Sequence, residues 1–563
     1  MVDQIKIPKL TRKSVEQLFD FSKGQNTFDD PLILSQDYLE TARNVRINRT
    51  GQVVTRIGQT QLGNTIHATN AATSLYEYQD GTGTKLRFVQ VATKLYELVV
   101  ATWTDRKDIA AGNTDFITFR GRDNTTVKSG TSTGGSINTL ADTGEAWTVD
   151  AYAGKIIKNT ATEELKMIES NTATVVTIEG KWDTNPGTDA YVIYNAQACG
   201  FGVNGTDKLR IRGSNAVDDI TTGNWRAFVG INEHNNRLFG WLDESSRLYF
   251  SDIANGENWP TLNYIDVAAD DGDNIMGGAT VGALQVIVKN RSSYVLAGSS
   301  RTNFSITSLS ATAGCISRRS IKSWNGVALY LGFEGVYQTD GRSEPVLVSK
   351  AMTTAFESHT QAQREDAVAG IDVENAYYML TIDDTTYIYD IRKGAWVYDD
   401  GYEPNVFANA EDSDGAPIIL IGDQGAGIVW TLESGNSDKG VSNITSVCET
   451  VKIAQGRYGF PKRYQRGRAF FAVTDDHQYV TLETNVEDEG YQISEVVDLY
   501  QDGSEWDVDD WDIAEWASPE VNIFKFRIGG RGRYVQFKWT KTDNNGAITF
   551  HGIAYSYKEK NFK

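Results

Sequence analysis

An all-β fold is what this sequence predicts: a β-propeller with an inserted small β domain and a C-terminal β-sandwich-like domain. Three observations carry that expectation. From Asn236 to Ser349, short runs of alternating apolar and polar residues end in turn residues one after another. Examples are RLYFSDIANGENW (Arg247 to Trp259), LQVIVKNRSSYVLAG (Leu284 to Gly298) and VALYLGFEGVYQTDG (Val327 to Gly341). Such runs are half-buried strands bounded by turn chemistry. TTYIYDIRKGAWVYDDG (Thr385 to Gly401) and GAGIVWTLESG (Gly425 to Gly435) repeat the pattern, and a recurrence of about 40 to 50 residues on antiparallel strands is the signature of propeller blades. Finally, 26 Tyr, 22 Phe, 13 Trp and 52 Gly stand against 9 Pro, a mixture that favours twisted sheet with glycine turns.

The elements follow in order. Residues 1–41 read as an N-terminal arm, in which SVEQLFDF (Ser14 to Phe21) predicts one short helix capped by Ser14, with Gln17 three residues on. Residues 42–104 hold the first part of the propeller, including KLRFVQVATKLYELVV (Lys85 to Val100). Over 105–197 the chain turns rich in Thr, Gly, Asn and Asp, and predicts a small β domain inserted in a propeller loop, which slow growth of closure entropy tolerates. The second part of the propeller spans 198–440, with strands near Leu209, Trp225, Leu238, Leu248, Val286, Tyr294, Ala328, Val336, Tyr377, Tyr387, Ile418 and Val429. Together the two parts hold enough strands for six or seven blades. Residues 441–563 form the last domain. CETVKIAQ, RYQRGRAFFAVT, QYVTLETNVE, NIFKFRIGG, RYVQFKWT and ITFHGIAYSYK are six strand-like runs, as in a sandwich. Between them, Trp506, Trp511 and Trp516 recur every five residues, which fits neither helix nor strand and predicts an irregular loop pinned by indoles.

Bulk properties bound the function. The 563 residues predict two to four domains. No apolar run approaches the roughly 18 residues of a membrane span, and MVDQIKIPKLTRKSVEQ lacks the apolar core of a signal peptide. Cys199, Cys315 and Cys448 are odd in number and far apart, which predicts buried thiols in a reducing compartment and no disulfide or metal pattern. The net charge of −20 opposes a nucleic-acid grip, which needs a basic stripe, but permits DNA as passing cargo that an acidic wall repels.

Each chemical motif has a plainer reading beside it. Gly130-Thr131-Ser132-Thr133-Gly134 spells a hydrolase elbow but lacks the strand before and helix after, so a turn is expected. His67, His234, His359, His477 and His551 are scattered without ligand spacing. Asp270-Asp271-Gly272-Asp273 and Asp507-Val508-Asp509-Asp510 have calcium-like chemistry, yet Asp and Gly serve turns directly. SDIANGENW (Ser251 to Trp259) is close to the aspartate-box turn of sialidase propellers with the wrong spacing, and nothing converges Arg247, Arg291, Arg318 and Arg319 on one carboxylate. The basic run Arg43-Asn44-Val45-Arg46-Ile47-Asn48-Arg49 predicts a strand with its arginines on one face, either solvated or against an acidic neighbour. Lys462-Arg463-Tyr464-Gln465-Arg466-Gly467-Arg468 invites the same two readings. No catalytic, cofactor-binding or metal-binding residue is assigned, and no cofactor is expected.

Several segments together resemble the tail nozzle, or tail hub, proteins of short-tailed (podovirus-like) bacteriophages. ARNVRINRTGQVVTRIGQTQLG (Ala42 to Gly63) looks like their opening strand pair, an N-x-R stretch leading to R-x-G. NRLFGWLDESSRLYFSDIANGENW is similar to their Y-x-S-D, then N-W blade. DVAADDGDNIMGGATVGALQVIVKNRSSYVLAG and GCISRRSIKSWNGVALYLGFEGVYQTDGRSEPVLVS look like the two blades after it, and the C-terminal WDVDDWDIAEWAS, RGRYVQFKW and FHGIAYSYK like the family's ends. The resemblance covers about 42–100 and 200–563, and the insertion departs from it. It implies a structural virion protein without enzymatic activity, made in the host bacterial cytoplasm and placed in the virion tail. It further implies a homohexamer ring below the portal and adaptor, contacts with tail fibre or spike proteins, and a channel for genome ejection. Two other functions remain open on the residues alone: a propeller glycosidase or depolymerase, and a carbohydrate-binding adhesin using the Trp506 to Trp516 loop.

Overall fold

The computed structural model describes residues 14–559 apart from 81–82, 222, 300, 302, 456–459, 475, 488–489 and 501–520. The fold is all-β, with a β-propeller arrangement of blades. Five separate four-stranded sheets are present among the described residues. Four are formed by consecutive strands, over 72–108, 230–266, 275–310 and 322–347. The fifth joins Pro404–Glu411, Pro417–Asp423 and Val429–Leu432 to Gln59–Gln61, so a strand from the start of the chain completes a blade made near residue 430.

The chain divides into two compact units. In the unit of residues 63–333 and 337–346, apolar clusters lie between successive sheets. Tyr78, Phe88 and Leu95 meet Leu209 and Ile211. Phe119 and Phe201 meet Phe228 and Leu238. Phe239 and Trp241 meet Ile275 and Ile287. Strands apolar on both faces are what stacked blades require, and the runs RLFGW and VALYL read that way. Trp225, expected in a strand, is instead a loop residue plugged between aromatic neighbours.

The insertion grows out of one long hairpin. Asp115–Thr131 and Ala190–Val203 pair from Asp115↔Val203 to Arg122↔Ala196, then shift register and run on to Thr131↔Ala190. The inner half continues into Lys208–Ile211 and Val217–Asp219, which makes it part of a blade-like meander. The outer half carries five short strands around a separate core that includes Leu140, Trp147, Ile157, Trp182 and Ile193. The inserted domain thus centres on 126–194, narrower than 105–197. Residues 105–108 belong to Thr102–Asp108, the last strand of a blade, where Trp103 packs inward.

The other unit comprises residues 1–62, 334–336 and 347–563. All six C-terminal runs are strands, and Tyr491–Asp498 is a seventh. They divide between two sheets. Ser446–Thr450, Tyr479–Val486, Tyr491–Asp498 and Val535–Lys541 join a ten-stranded sheet that also contains Tyr38–Arg43 and the meander Val368–Asp399. Lys462–Ala472, Val521–Arg527 and Thr549–Glu559 join a seven-stranded sheet with Val45–Ile47 and Val53–Thr55. The sheets face each other through aromatic contacts, Phe471 with Trp539 at 6.2 Å and Phe537 with Tyr555 at 5.1 Å between ring centroids.

Ser14–Leu18 is a strand on the edge of Thr549–Glu559, not the expected helix. A single S-x-x-Q cap is worth little beside five residues of ladder pairing and burial of Leu18. Residues 14–18 of the arm therefore belong to the seven-stranded sheet. The tryptophan loop of 506–516 and the Asp507 to Asp510 run lie outside the described residues.

Candidate functional site

The sequence singled out two basic runs, and the structure gives them opposite environments. The first is spent inside the fold. Asn44 adopts a left-handed backbone (φ 54°) and breaks the strand between Arg43 and Arg46, so the arginines do not share one alternating face. Arg46 forks onto Asp399 with two bonds of 2.8 Å, and reaches Glu433 at 2.7 Å. Arg43 pairs with Asp400 at 2.6 Å. The acidic neighbour is in the same chain, and Arg49 alone of the three arginines is exposed.

Arg56 completes this clasp. Its guanidinium binds both carboxylate oxygens of Asp438, donates from Nε to Asn44 at 2.8 Å, and reaches the Asp400 carbonyl at 2.8 Å. It also stacks over the Tyr402 ring, 4.9 Å from its centroid. Two residues on, the Gly58 backbone passes so close to Ser437 that a β-carbon would lie 2.3 Å from its carbonyl oxygen. The N-x-R and R-x-G patterns are therefore the two halves of one clasp, which ties 44–58 to the strands ending at Asp399 and to the turn at 437–438. Burial pushes the Asp399 carboxyl up, but the Arg46 fork, Arg56 and the Tyr402 hydroxyl together hold it below the usual carboxylate range. Such a network fixes geometry and offers no open position for a ligand.

The second run lies on the outer face of the seven-stranded sheet. Along Lys462–Ala472, Arg463, Arg466 and Arg468 are exposed while Tyr464, Gly467 and Ala469 are buried. Along Val521–Arg527, Lys525 and Arg527 are exposed on either side of buried Phe526. The register sets Arg466 opposite Arg527, Arg468 opposite Lys525, and Arg463 opposite Lys558. By strand alternation the positions of this face on 15–19, 463–472, 521–527 and 554–558 contain no Asp or Glu. None of these six cations makes an ion pair among the described residues. Sequence reasoning found Arg463 to Arg468 but missed Lys525 and Arg527. The I-F-K-F-R alternation was a signal of their shared face, whereas the pairing of the two strands has no local signature.

The remaining candidates resolve into turns and packing. Asp271 accepts from the Lys289 ammonium at 2.5 Å and from Tyr294 at 3.2 Å, and Asp273 accepts from Arg291 N–H and the Ser292 hydroxyl. The Ser132 hydroxyl lies in donor reach of the Gly134 carbonyl in its own turn and of the Ala141 carbonyl on the paired strand. Arg247 and Arg318 pair with separate carboxylates, Asp266 and Asp243. In SDIANGENW the Ser251 hydroxyl accepts from Leu238 N–H, and Trp259 buries its ring 4.6 Å from Phe228, so the motif pins a blade. His359 bonds Tyr387, His477 bonds Asp498 and His551 bonds Gln52, each apart from the others. Cys199, Cys315 and Cys448 are buried and free, and burial pushes the first two up to about 12. No cluster of three or more metal-ligating side chains occurs among the described residues. No helix of the described residues is long and apolar enough to cross a membrane.

No protein-family model matches the chain, and no curated protein matches it. Among solved structures, it is similar to PorZ, a bacterial surface component of the type-IX secretion system of Porphyromonas gingivalis, at 11% identity and TM-score 0.33. That match covers 66% of this chain and 38% of PorZ. It is also similar to the extracellular domain of a one-component system from B. thetaiotaomicron, at 9% identity and TM-score 0.27, over 89% of this chain and 82% of that one.

Proposed function

We propose that the protein is a structural subunit of a short-tailed phage tail, a nozzle component that assembles with copies of itself into a ring around a channel for the genome. One observation supports this reading above the rest. The motifs that resemble the nozzle family fall in order along the chain, first at the clasp and then on successive blades, and each does the same job there. Asn44 to Gly58 forms the clasp, Ser251 to Trp259 pins the sheet over 230–266, and Asp271 and Lys289 brace the sheet over 275–310. A set of motifs devoted to rigidity suits a wall element, because a tube keeps its bore only if its staves do not deform. Rigid blades also leave few long sheet edges for uncontrolled pairing, and the overall charge of −20 suits a conduit that DNA passes without sticking.

Electron microscopy of the purified protein, alone and mixed with candidate portal-adaptor proteins, tests the proposal. Annular particles with an open centre are expected. A chain that stays monomeric under every assembly condition, and is missing from virions of the phage that encodes it, would overturn the reading. Hydrolysis of host surface glycans by the isolated protein would favour a depolymerase instead.

A further inference from the structure

We infer that the cationic outer face of the seven-stranded sheet is the surface by which one copy of this chain docks head-to-tail on an acidic surface of a second copy. The inference rests on the ring reading above and names the face that would build the ring. Arg466 faces Arg527 and Arg468 faces Lys525 across adjacent strands. Like charges directly opposite each other weaken a sheet, and among the described residues no carboxylate of the same face relieves them. A fold that carries such repulsion gains from a partner that supplies the missing negative charge.

The chemistry of the surrounding face selects the kind of partner. Beyond Arg468 the same face turns apolar, where Phe470 packs on Phe19 at 5.1 Å and Ile523 is 51% exposed, and Val15, opposite Ser556, is 60% exposed. A phosphate backbone would neutralise the cations and leave these side chains in water. A protein surface covers both, in the usual arrangement of an apolar patch beside arginines. The charge of the chain selects which protein. With those six cations on this face, the rest of the chain carries 74 Asp and Glu against 48 Lys and Arg, so each copy attracts the basic face of the next. That face cannot meet its own copy, because cation would oppose cation. The contact is therefore heterologous, the type that closes into rings when the rotation permits.

The test uses the full chain and an Arg466→Glu/Lys525→Glu variant, both sites being exposed. Sedimentation at low and high salt should show wild type assembling and then dissociating as salt rises. The variant should assemble at least about tenfold more weakly, with melting unchanged or raised because the cross-strand repulsion is gone. Zero-length carbodiimide cross-linking of a mixture of heavy-nitrogen and unlabelled protein should join Lys525 to carboxylates of the other isotope. If the variant assembles as well as wild type, the face is wrong while the ring stands. If wild type never assembles, both fall. Cross-links confined to single chains, for instance to the acidic run of 502–520, would assign the face to its own polypeptide. A single-stranded oligonucleotide bound by wild type and released by the variant, with assembly unaltered, would assign it to phosphate.

Discussion

Arg56 and Asp438, 382 positions apart, meet in a two-bonded ion pair of 2.7 and 2.6 Å with side chains only 1% and 2% exposed. The pair fastens the segment that completes a blade from outside the run of that blade's own strands. A buried pair of this kind is fragile to half-removal, since the surviving charge stays out of water. Arg56→Met is expected to cost about 3–5 kcal/mol in denaturant unfolding. Arg56→Met combined with Asp438→Leu should cost clearly less than the sum of the two single changes. Additive costs in that double-mutant cycle would show that the two groups do not act as a pair.

His234 gives the protein a pH dependence in the mildly acidic range. Its ring is 2% exposed, within 6.0 Å of the Phe239 ring, and burial lowers its pKa from 6.5 to about 4. Protonation therefore favours the unfolded chain. The contribution of the neutral ring is complete above pH 6.5 and is lost progressively as pH falls toward about 4. Unfolding midpoints measured between those values should decline in wild type, and His234→Phe should flatten the decline. An unchanged slope in the variant would assign the effect to other groups.

Lys289 removes the calcium reading of the D-D-G-D turn. Its side chain is wholly buried, and its ammonium donates to the Val267 and Ala268 carbonyls as well as to Asp271. Burial raises the Asp271 carboxyl, but the bonds and charge of Lys289, the Asp273 N–H and the Tyr294 hydroxyl together outweigh it and hold the group below its ordinary pKa. The turn thus already contains its cation. EDTA should leave the melting temperature of wild type unchanged, whereas Lys289→Met should lower stability by about 1–3 kcal/mol through the buried Val267 carbonyl left without its donor. A melting temperature that falls on chelation would restore the metal.

Local pattern carried the strands well and the partners of strands poorly. QYVTLETNVE and ITFHGIAYSYK are both strands, the first alternating over Tyr479 to Glu483 and the second buried on both faces from Gly552 to Tyr557. SVEQLFDF was misread because its capping letters are visible in sequence and its edge-pairing with Thr549–Glu559, more than 500 residues away, is not. The same limit hid the basic face. Arg466 and Arg527 each look like an ordinary solvated cation until the ladder sets them opposite one another. Likewise the N-x-R and R-x-G letters were legible as motifs, but their acidic partners, Asp399 at the end of a strand and Asp438 in a turn, carry no distinguishing pattern of their own.

The insertion supplies the sharpest test of modular construction. Its core, with Leu140, Trp147, Ile168, Val176 and Trp182, shares no residue with the cluster that packs Phe119 and Phe201 against the neighbouring blade. Among the described residues the hairpin is the continuous structure between them, and its register shifts where blade gives way to insertion, between Arg122 and Thr126. Replacing 124–194 with Asn-Gly would leave Asp123 opposite Asn195, in line with the Arg122↔Ala196 pair, on a turn whose twist suits a two-residue hairpin. The shortened chain should keep its β circular dichroism and melt within a few degrees of wild type. Residues 126–194 alone should melt cooperatively, followed by Trp147 and Trp182 fluorescence, at lower temperature because so small a domain buries less of its surface. If the shortened chain aggregates, the outer hairpin is part of the blade's own stability. If instead the isolated insertion shows no cooperative melt, its core depends on the scaffold from which it grows.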